Sequence, residues 1–277
     1  MIRTLPSFAL AALFLLAGRY TALAEQVVEE VTFDGEKIQI VETDDYEKAV
    51  RIGDRELGRN YFAGLDRMTE VAGQPVVLFS LGDGGNACGP STLIVWRDGS
   101  GEIQSYDHDT GCDAPTASVA EYGIWFVPYL RPGGSAPVTL WTPQAGISTE
   151  GRLTYAPEPG TGWADIDPAS IDYAMDLFRN EALYNAAAAR IGDGDLEYYA
   201  TGLAVSSAPQ LENRLFTGEG CYPHNCGGAD SLIVVDKAKG EVYLAQQRDT
   251  GITAWPEASQ WPEPARAILD RFSAARQ

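Results

Sequence analysis

The sequence predicts a β-rich α+β protein in two parts, with antiparallel sheets throughout and a C-terminal unit in which a long helix packs on an antiparallel sheet. Three observations predict it. Short β-prone runs alternate with Gly, Pro and Asp turns along most of the chain. One alanine-rich stretch, 169–190, carries apolar residues at helical spacing. Several segments of the first half recur in the second half near an offset of 139.

Taken in order, 27–33 and 37–42 read as strands joined by the turn Asp34-Gly35, and 46–52 is a weaker strand. Residues 75–81 place Val76, Val77, Leu78 and Phe79 in succession, which predicts a core strand buried on both faces. Strands 92–96 and 102–106 flank Asp98-Gly99-Ser100-Gly101, a hairpin signal. Setting Trp96 opposite Ile103 or Gln104 brings Cys88 and Cys112 level with each other, so these two are expected to be disulfide-bonded. Further strands are expected at 122–127, 137–141 and 152–156. A Pro- and Gly-rich linker, 156–162, then separates an all-β unit, 25–160, from an α+β unit, 161–277. Asp167-Pro168 supplies an N-cap and first-turn proline for the predicted long helix. Strands follow at 196–203, 211–217, 231–235 and 241–246, and a short helix at 265–272 ends the chain.

The repeat sets 51–57 beside 190–196, Leu93-Ile94-Val95 beside Leu232-Ile233-Val234, and Asp109-Thr110-Gly111 beside Asp249-Thr250-Gly251, at offsets of 139, 139 and 140. This pattern predicts a duplicated β unit. The first copy keeps Cys88 where the second has Cys226, but lacks the second cysteine, the proline and the histidine.

Residues 1–24 have the form of a secretory leader: Arg3, an apolar run, then Ala22-Leu23-Ala24 as a cleavage pattern. The run is too short for a membrane span, so a periplasmic or secreted product beginning near Glu25 is expected, in a compartment that oxidises cysteine pairs. The whole chain carries 20 basic and 39 acidic residues. Loss of Arg3 and Arg19 leaves 18 against 39, a net −21. Such a charge disfavours nucleic acid and anionic membrane and favours basic partners.

Cys221-Tyr222-Pro223-His224-Asn225-Cys226 gathers two of the four cysteines and one of the two histidines in six residues. Flanking glycines mark a tight loop between extended segments, and oxidation would close a ring that pushes Tyr222 to Asn225 outward. With Gly227 and the following apolar strand, this hexapeptide resembles the Cys-Lys-Pro-His-Asp-Cys loop of the Ivy family, periplasmic inhibitors of C-type lysozyme. Cys221, Pro223, His224 and Cys226 match by position, while Tyr222 stands for the lysine and Asn225 for the aspartate. The resemblance implies a disulfide-closed inhibitory loop with no catalytic residue and no cofactor. Its partner would be a C-type lysozyme or similar basic glycan hydrolase, whose cleft holds two carboxylates flanking the scissile bond. An imidazole set between them can hydrogen bond to both. The alternative is a structural or interaction protein of the cell envelope, with the ring as a staple.

Other constellations carry less. A bilobed aspartic protease through Asp109 and Asp249 needs each aspartate to follow an apolar strand into one dry site, and here polar residues precede both. Asp107, Asp109 and Asp113 resemble a calcium loop, but glycine falls at the wrong step and Ser118 replaces the closing glutamate. Zinc on Cys221, His224 and Cys226 lacks a fourth ligand, so no metal is expected.

Overall fold

The computed structural model of the chain describes residues 26–85 and 88–276. The leader expected over 1–24 and its cleavage near Ala24 lie outside them.

Four strands open the described chain, β1 (Gln26–Phe33), β2 (Glu36–Glu42), β3 (Lys48–Ile52) and β4 (Arg55–Asn60), paired in sequence order as one antiparallel sheet. Asp34 and Gly35 both take positive φ in the two-residue turn between β1 and β2, the conformation that matches strand twist. A second sheet contains β5 (Phe62–Val71), β6 (Gln74–Gly82), β7 (Ser91–Arg97) and β8 (Ile103–His108), again in order. Trp96 stands opposite Gln104, the register expected of this hairpin. The third sheet runs β9 (Ala117–Ala120), β10 (Gly123–Phe126), β11 (Ser135–Thr142) and β12 (Gly146–Thr154).

The second sheet is the middle layer. Val77, Phe79, Leu81, Leu93 and Val95 pack with Phe33, Ile38, Ile40 and Val50 of the first sheet. Val76, Leu78 and Ile94 pack with Ile124, Phe126 and Trp141 of the third. Side chains alternate across a strand, so a strand covered on both faces must be apolar at every position, which is why 76–79 is an unbroken apolar run.

The predicted long helix is corrected by the structure. Asp167 does cap a turn, accepting from Ala169 N–H at 3.0 Å, but that turn is a 3-10 segment ending at Ser170. A second 3-10 segment, Ala174–Arg179, precedes α1 (Glu181–Ile191). Asn180 separates them with extended backbone (φ −76°, ψ 121°), and its Oδ1 accepts from Leu183 N–H, making it the N-cap of α1. Gly192, at φ 85°, ends α1 and leads into α2 (Asp193–Thr201).

That second helix also corrects the strand expected at 196–203. Leu196, Tyr199, Ala200 and Leu203 are all buried, a spacing of three, one and three that suits a helix face, although the aromatic run Tyr198-Tyr199 has strand character. The expected strand 211–217 is a hairpin: β14 (Gln210–Glu212) and β15 (Leu215–Cys221) flank Asn213 and Arg214, both at positive φ.

The C-terminal sheet runs β13 (Val205–Ser206), β15, β16 (Ser231–Asp236), β17 (Glu241–Arg248) and β18 (Gly251–Trp255), with β14 beside β15. On one face Ile233, Val235, Val242 and Leu244 pack with Leu177, Phe178, Leu183, Ala187, Leu196 and Tyr199. On the other, Leu232, Val234, Tyr243 and Ala245 pack with Trp261, Ile268, Leu269 and Phe272, the last three on α3 (Glu263–Ala274). Helices thus cover this sheet as sheets cover β5 to β8. The repeated segments on β6 to β8 and on β15 to β17 occupy matching places: Leu93 opposes Asp107 and Leu232 opposes Ala245, while Leu78 opposes Ile94 and Thr217 opposes Val234, all within one residue of the offset 139. The match of 51–57 with 190–196 is corrected, since the first runs from β3 into β4 and the second from α1 into α2.

Candidate functional site

The last residue of β15 begins the hexapeptide. Cys221 is buried and pairs with Val205 of β13. Gly218 and Gly220, which read as turn glycines, lie inside β15 instead. A Cβ on Gly220 would stand 2.8 Å from Leu203 Cα, so glycine there permits close approach of the segment leaving α2.

Beyond Cys221 the Tyr222 carbonyl accepts Asn225 N–H at 2.9 Å, closing a β-turn with Pro223 second and His224 third. His224 sits at φ 62°, and proline followed by positive φ marks a type II turn. A non-glycine residue held there costs about 1 kcal/mol. A second turn follows, in which the Asn225 carbonyl accepts Gly228 N–H at 3.1 Å. Cys221 and Cys226 are bonded with Cα atoms 4.9 Å apart, closing a ring around the first turn. His224, Asn225 and Cys226 are exposed. Tyr222 is not thrust outward as expected: it is half-buried, its ring 5.8 Å from that of Tyr198 on α2, and Pro223 is half-buried too.

The base of the loop is held by groups distant in sequence. Asp230, almost fully buried, accepts Gly227 N–H at 2.7 Å through Oδ1 and Arg276 Nε at 2.8 Å through Oδ2. Arg276 also reaches Glu219 at 3.3 Å and lies over the Phe272 ring. The Arg248 guanidinium lies 4.9 Å from the Tyr198 ring centroid and 3.6 Å from Asp195. In the pairs Arg276–Glu219, Arg248–Asp195 and Arg131–Asp113 the arginine is 12%, 26% and 17% exposed and its carboxylate partner 46%, 55% and 63%. The positive ends face inward and the negative ends face solvent.

Cys88 is joined to Cys112 at a Cα separation of 4.2 Å, across the base of the β7–β8 hairpin. Part of the adjoining loop, Asn86 and Ala87, lies outside the described residues. His108, the other histidine, is a core residue, with its ring 3.8 Å from that of Phe126. Burial holds its pKa below the ordinary histidine value. Asp109 and Asp249 stand on exposed turns after strands of two different sheets, which corrects the aspartic-protease alternative, since no shared dry site joins them. Among the described residues no group of three or more His, Cys, Asp or Glu is placed to hold a metal ion, and no helix is long and apolar enough to cross a membrane.

Sequence reasoning missed Asp230, Arg276, Tyr198 and Arg248. Local spacing carries no signal for Asp230 and Arg276, which are 46 residues apart, and Tyr198 was hidden by reading its helix as a strand.

Residues 34–154 match the family profile of the Y4bG N-terminal domain, and residues 182–275 match that of the inhibitor of vertebrate lysozyme (Ivy). The uncharacterized protein y4bG of Sinorhizobium fredii (strain NBRC 101917 / NGR234) is 24% identical over 224 residues, covering 80% of this chain and 82% of that protein. No solved structure matches. In its C-terminal part, which contains the hexapeptide, the chain is thus similar to the Ivy family, and in its N-terminal part to the Y4bG N-terminal domain.

Proposed function

We propose that the protein is an exported, non-catalytic inhibitor of a C-type lysozyme, with His224 as the group that enters the enzyme's cleft. The observation that carries this reading is the exposed imidazole at the third position of a disulfide-closed turn, inside a segment that matches the Ivy profile. Among the described residues the His224 ring takes no hydrogen bond or ion pair, so both its nitrogens are free to bond to a partner. Two carboxylates facing each other across a cleft are complementary to it: the ring donates from one or both nitrogens, and protonation makes those bonds charge-assisted. Pro223 and the disulfide set the turn in advance and reduce the ordering cost of docking.

The same reading includes export, to which the leader sequence and two disulfides are suited. It also includes division into a domain at 25–160 and a domain at 161–277. The buried clusters support that division, since two draw on residues up to Trp141 and the other two on residues from Trp163 onward.

The test is lysis of bacterial cell walls by a C-type lysozyme with the purified protein added. Inhibition at micromolar protein is expected, together with its loss in His224→Ala. No inhibition by the wild-type protein, or equal inhibition by the variant, would leave the ring as a staple of an envelope protein.

A further inference from the structure

The connection between β10 and β11 reaches the loop from the N-terminal half of the chain. Gly133, at φ 83°, and Gly134 turn so closely over α2 that a Cβ on Gly133 would stand 2.8 Å from Glu197 N, and one on Gly134 2.8 Å from Glu197 Oε1. The next residue of α2 is Tyr198, whose ring meets Tyr222. Arg131, held by two hydrogen bonds to Asp113 at 2.8 and 3.0 Å, is within electrostatic reach of both Tyr222 and Tyr129. Tyr129 itself is 70% exposed, among the most exposed large side chains described. Between it and α2 opens a cleft of about 280 Å³ whose lining includes Tyr129, Arg131, Asp113 and Glu197. Arg131 is neutralised by Asp113, while Glu197 forms no ion pair among the described residues, so the cleft joins an open aromatic face to an unbalanced carboxylate.

We propose that the cleft between Tyr129 and Glu197 is a second contact for the enzyme, receiving a lysine or arginine side chain from the rim of the lysozyme cleft while His224 enters it. This inference rests on the inhibitor reading. An aromatic ring attracts a cation over its face, and the adjacent carboxylate supplies the opposite charge. The chemistry suits a basic partner, and the cleft borders α2 at Glu197, whose next residue, Tyr198, meets Tyr222 at the base of the His224 turn. On this view the N-terminal part supplies part of the docking surface.

The test is binding of the purified protein to a vertebrate C-type lysozyme by calorimetry at low and high salt, beside the lysis assay. Tyr129→Ala should weaken binding about 10-fold, the scale of an interface anchor, while Tyr129→Phe stays within about 2-fold. Glu197→Gln should weaken binding about 3-fold at low salt and flatten its salt dependence. Tyr46→Ala, at an equally exposed tyrosine in the β2–β3 turn, should change nothing. If His224→Ala loses inhibition while Tyr129→Ala and Glu197→Gln bind within about 2-fold of wild type, this inference falls and the inhibitor reading stands. If the wild-type protein does not bind, both fall. Melting curves check that Tyr129→Ala is folded, and should it not be, Glu197→Gln decides by the same criterion.

Discussion

Asp230 and Arg276 form an almost fully buried ion pair at the base of the Cys221–Cys226 ring, 2.8 Å apart, with only 11% and 12% of their side chains exposed. One carboxylate oxygen takes the guanidinium and the other takes the Gly227 N–H, so the turn that follows α3 is tied to the loop through the Asp230 side chain. Removal of Arg276 strands a buried carboxylate. We expect Arg276→Ala to destabilise the protein by about 3 kcal/mol, read as a lower midpoint in urea unfolding, and to weaken lysozyme inhibition. Inhibition equal to wild type in a variant destabilised to that extent would show that the loop does not depend on this anchor.

The two disulfides should separate in their effects. Cys88–Cys112 spans 24 positions and Cys221–Cys226 only 5, and a longer closed loop restricts the unfolded chain more. Replacing Cys88 and Cys112 together by serine should cost about 3 kcal/mol, with inhibition kept in the fraction that stays folded. The same change at Cys221 and Cys226 should cost clearly less stability and more inhibition. Equal stability losses with unchanged inhibition would contradict the role given to the ring.

At His224, stability and function should move in opposite directions. Its φ of 62° favours glycine, so His224→Gly is expected to raise stability by up to about 1 kcal/mol while abolishing inhibition. Thermal melting and the lysis assay on the same preparation test both halves.

His108 predicts a pH dependence. Burial lowers its folded pKa below 6.5, so between that lowered value and 6.5 the unfolded chain binds more protons. Its contribution to stability is therefore complete above 6.5 and is lost as pH falls through the lowered value. Asp107 acts in the other direction: burial raises its carboxyl above 3.8, favouring the folded state as pH falls. Comparing wild type with His108→Gln isolates the histidine, and the wild-type stability should fall more steeply with acidification just below pH 6.5. Parallel curves would mean that His108 titrates in the folded protein as it does in the unfolded chain.

What the sequence determined by itself was local, or repeated a local pattern. The hairpin at Asp98 to Gly101 set the register that brings Cys88 to Cys112, because a tight turn leaves its flanking strands little choice of pairing. The unbroken run Val76 to Phe79 required cover on both faces, and the hexapeptide carried both the turn chemistry of Pro223-His224 and the family resemblance. Tertiary structure decided the rest. The stretch 169–190 is divided by Asn180 because an extended residue with a capping side chain fits the approach of Glu158, which forms a bridge with it. Residues 196–201 became part of a helix because their buried face had a sheet to meet, a preference that propensity does not record. Asp230 with Arg276, Tyr222 with Tyr198, and Tyr129 beside α2 are neighbours only once the chain has folded, since pairs so far apart in sequence leave no periodicity to read.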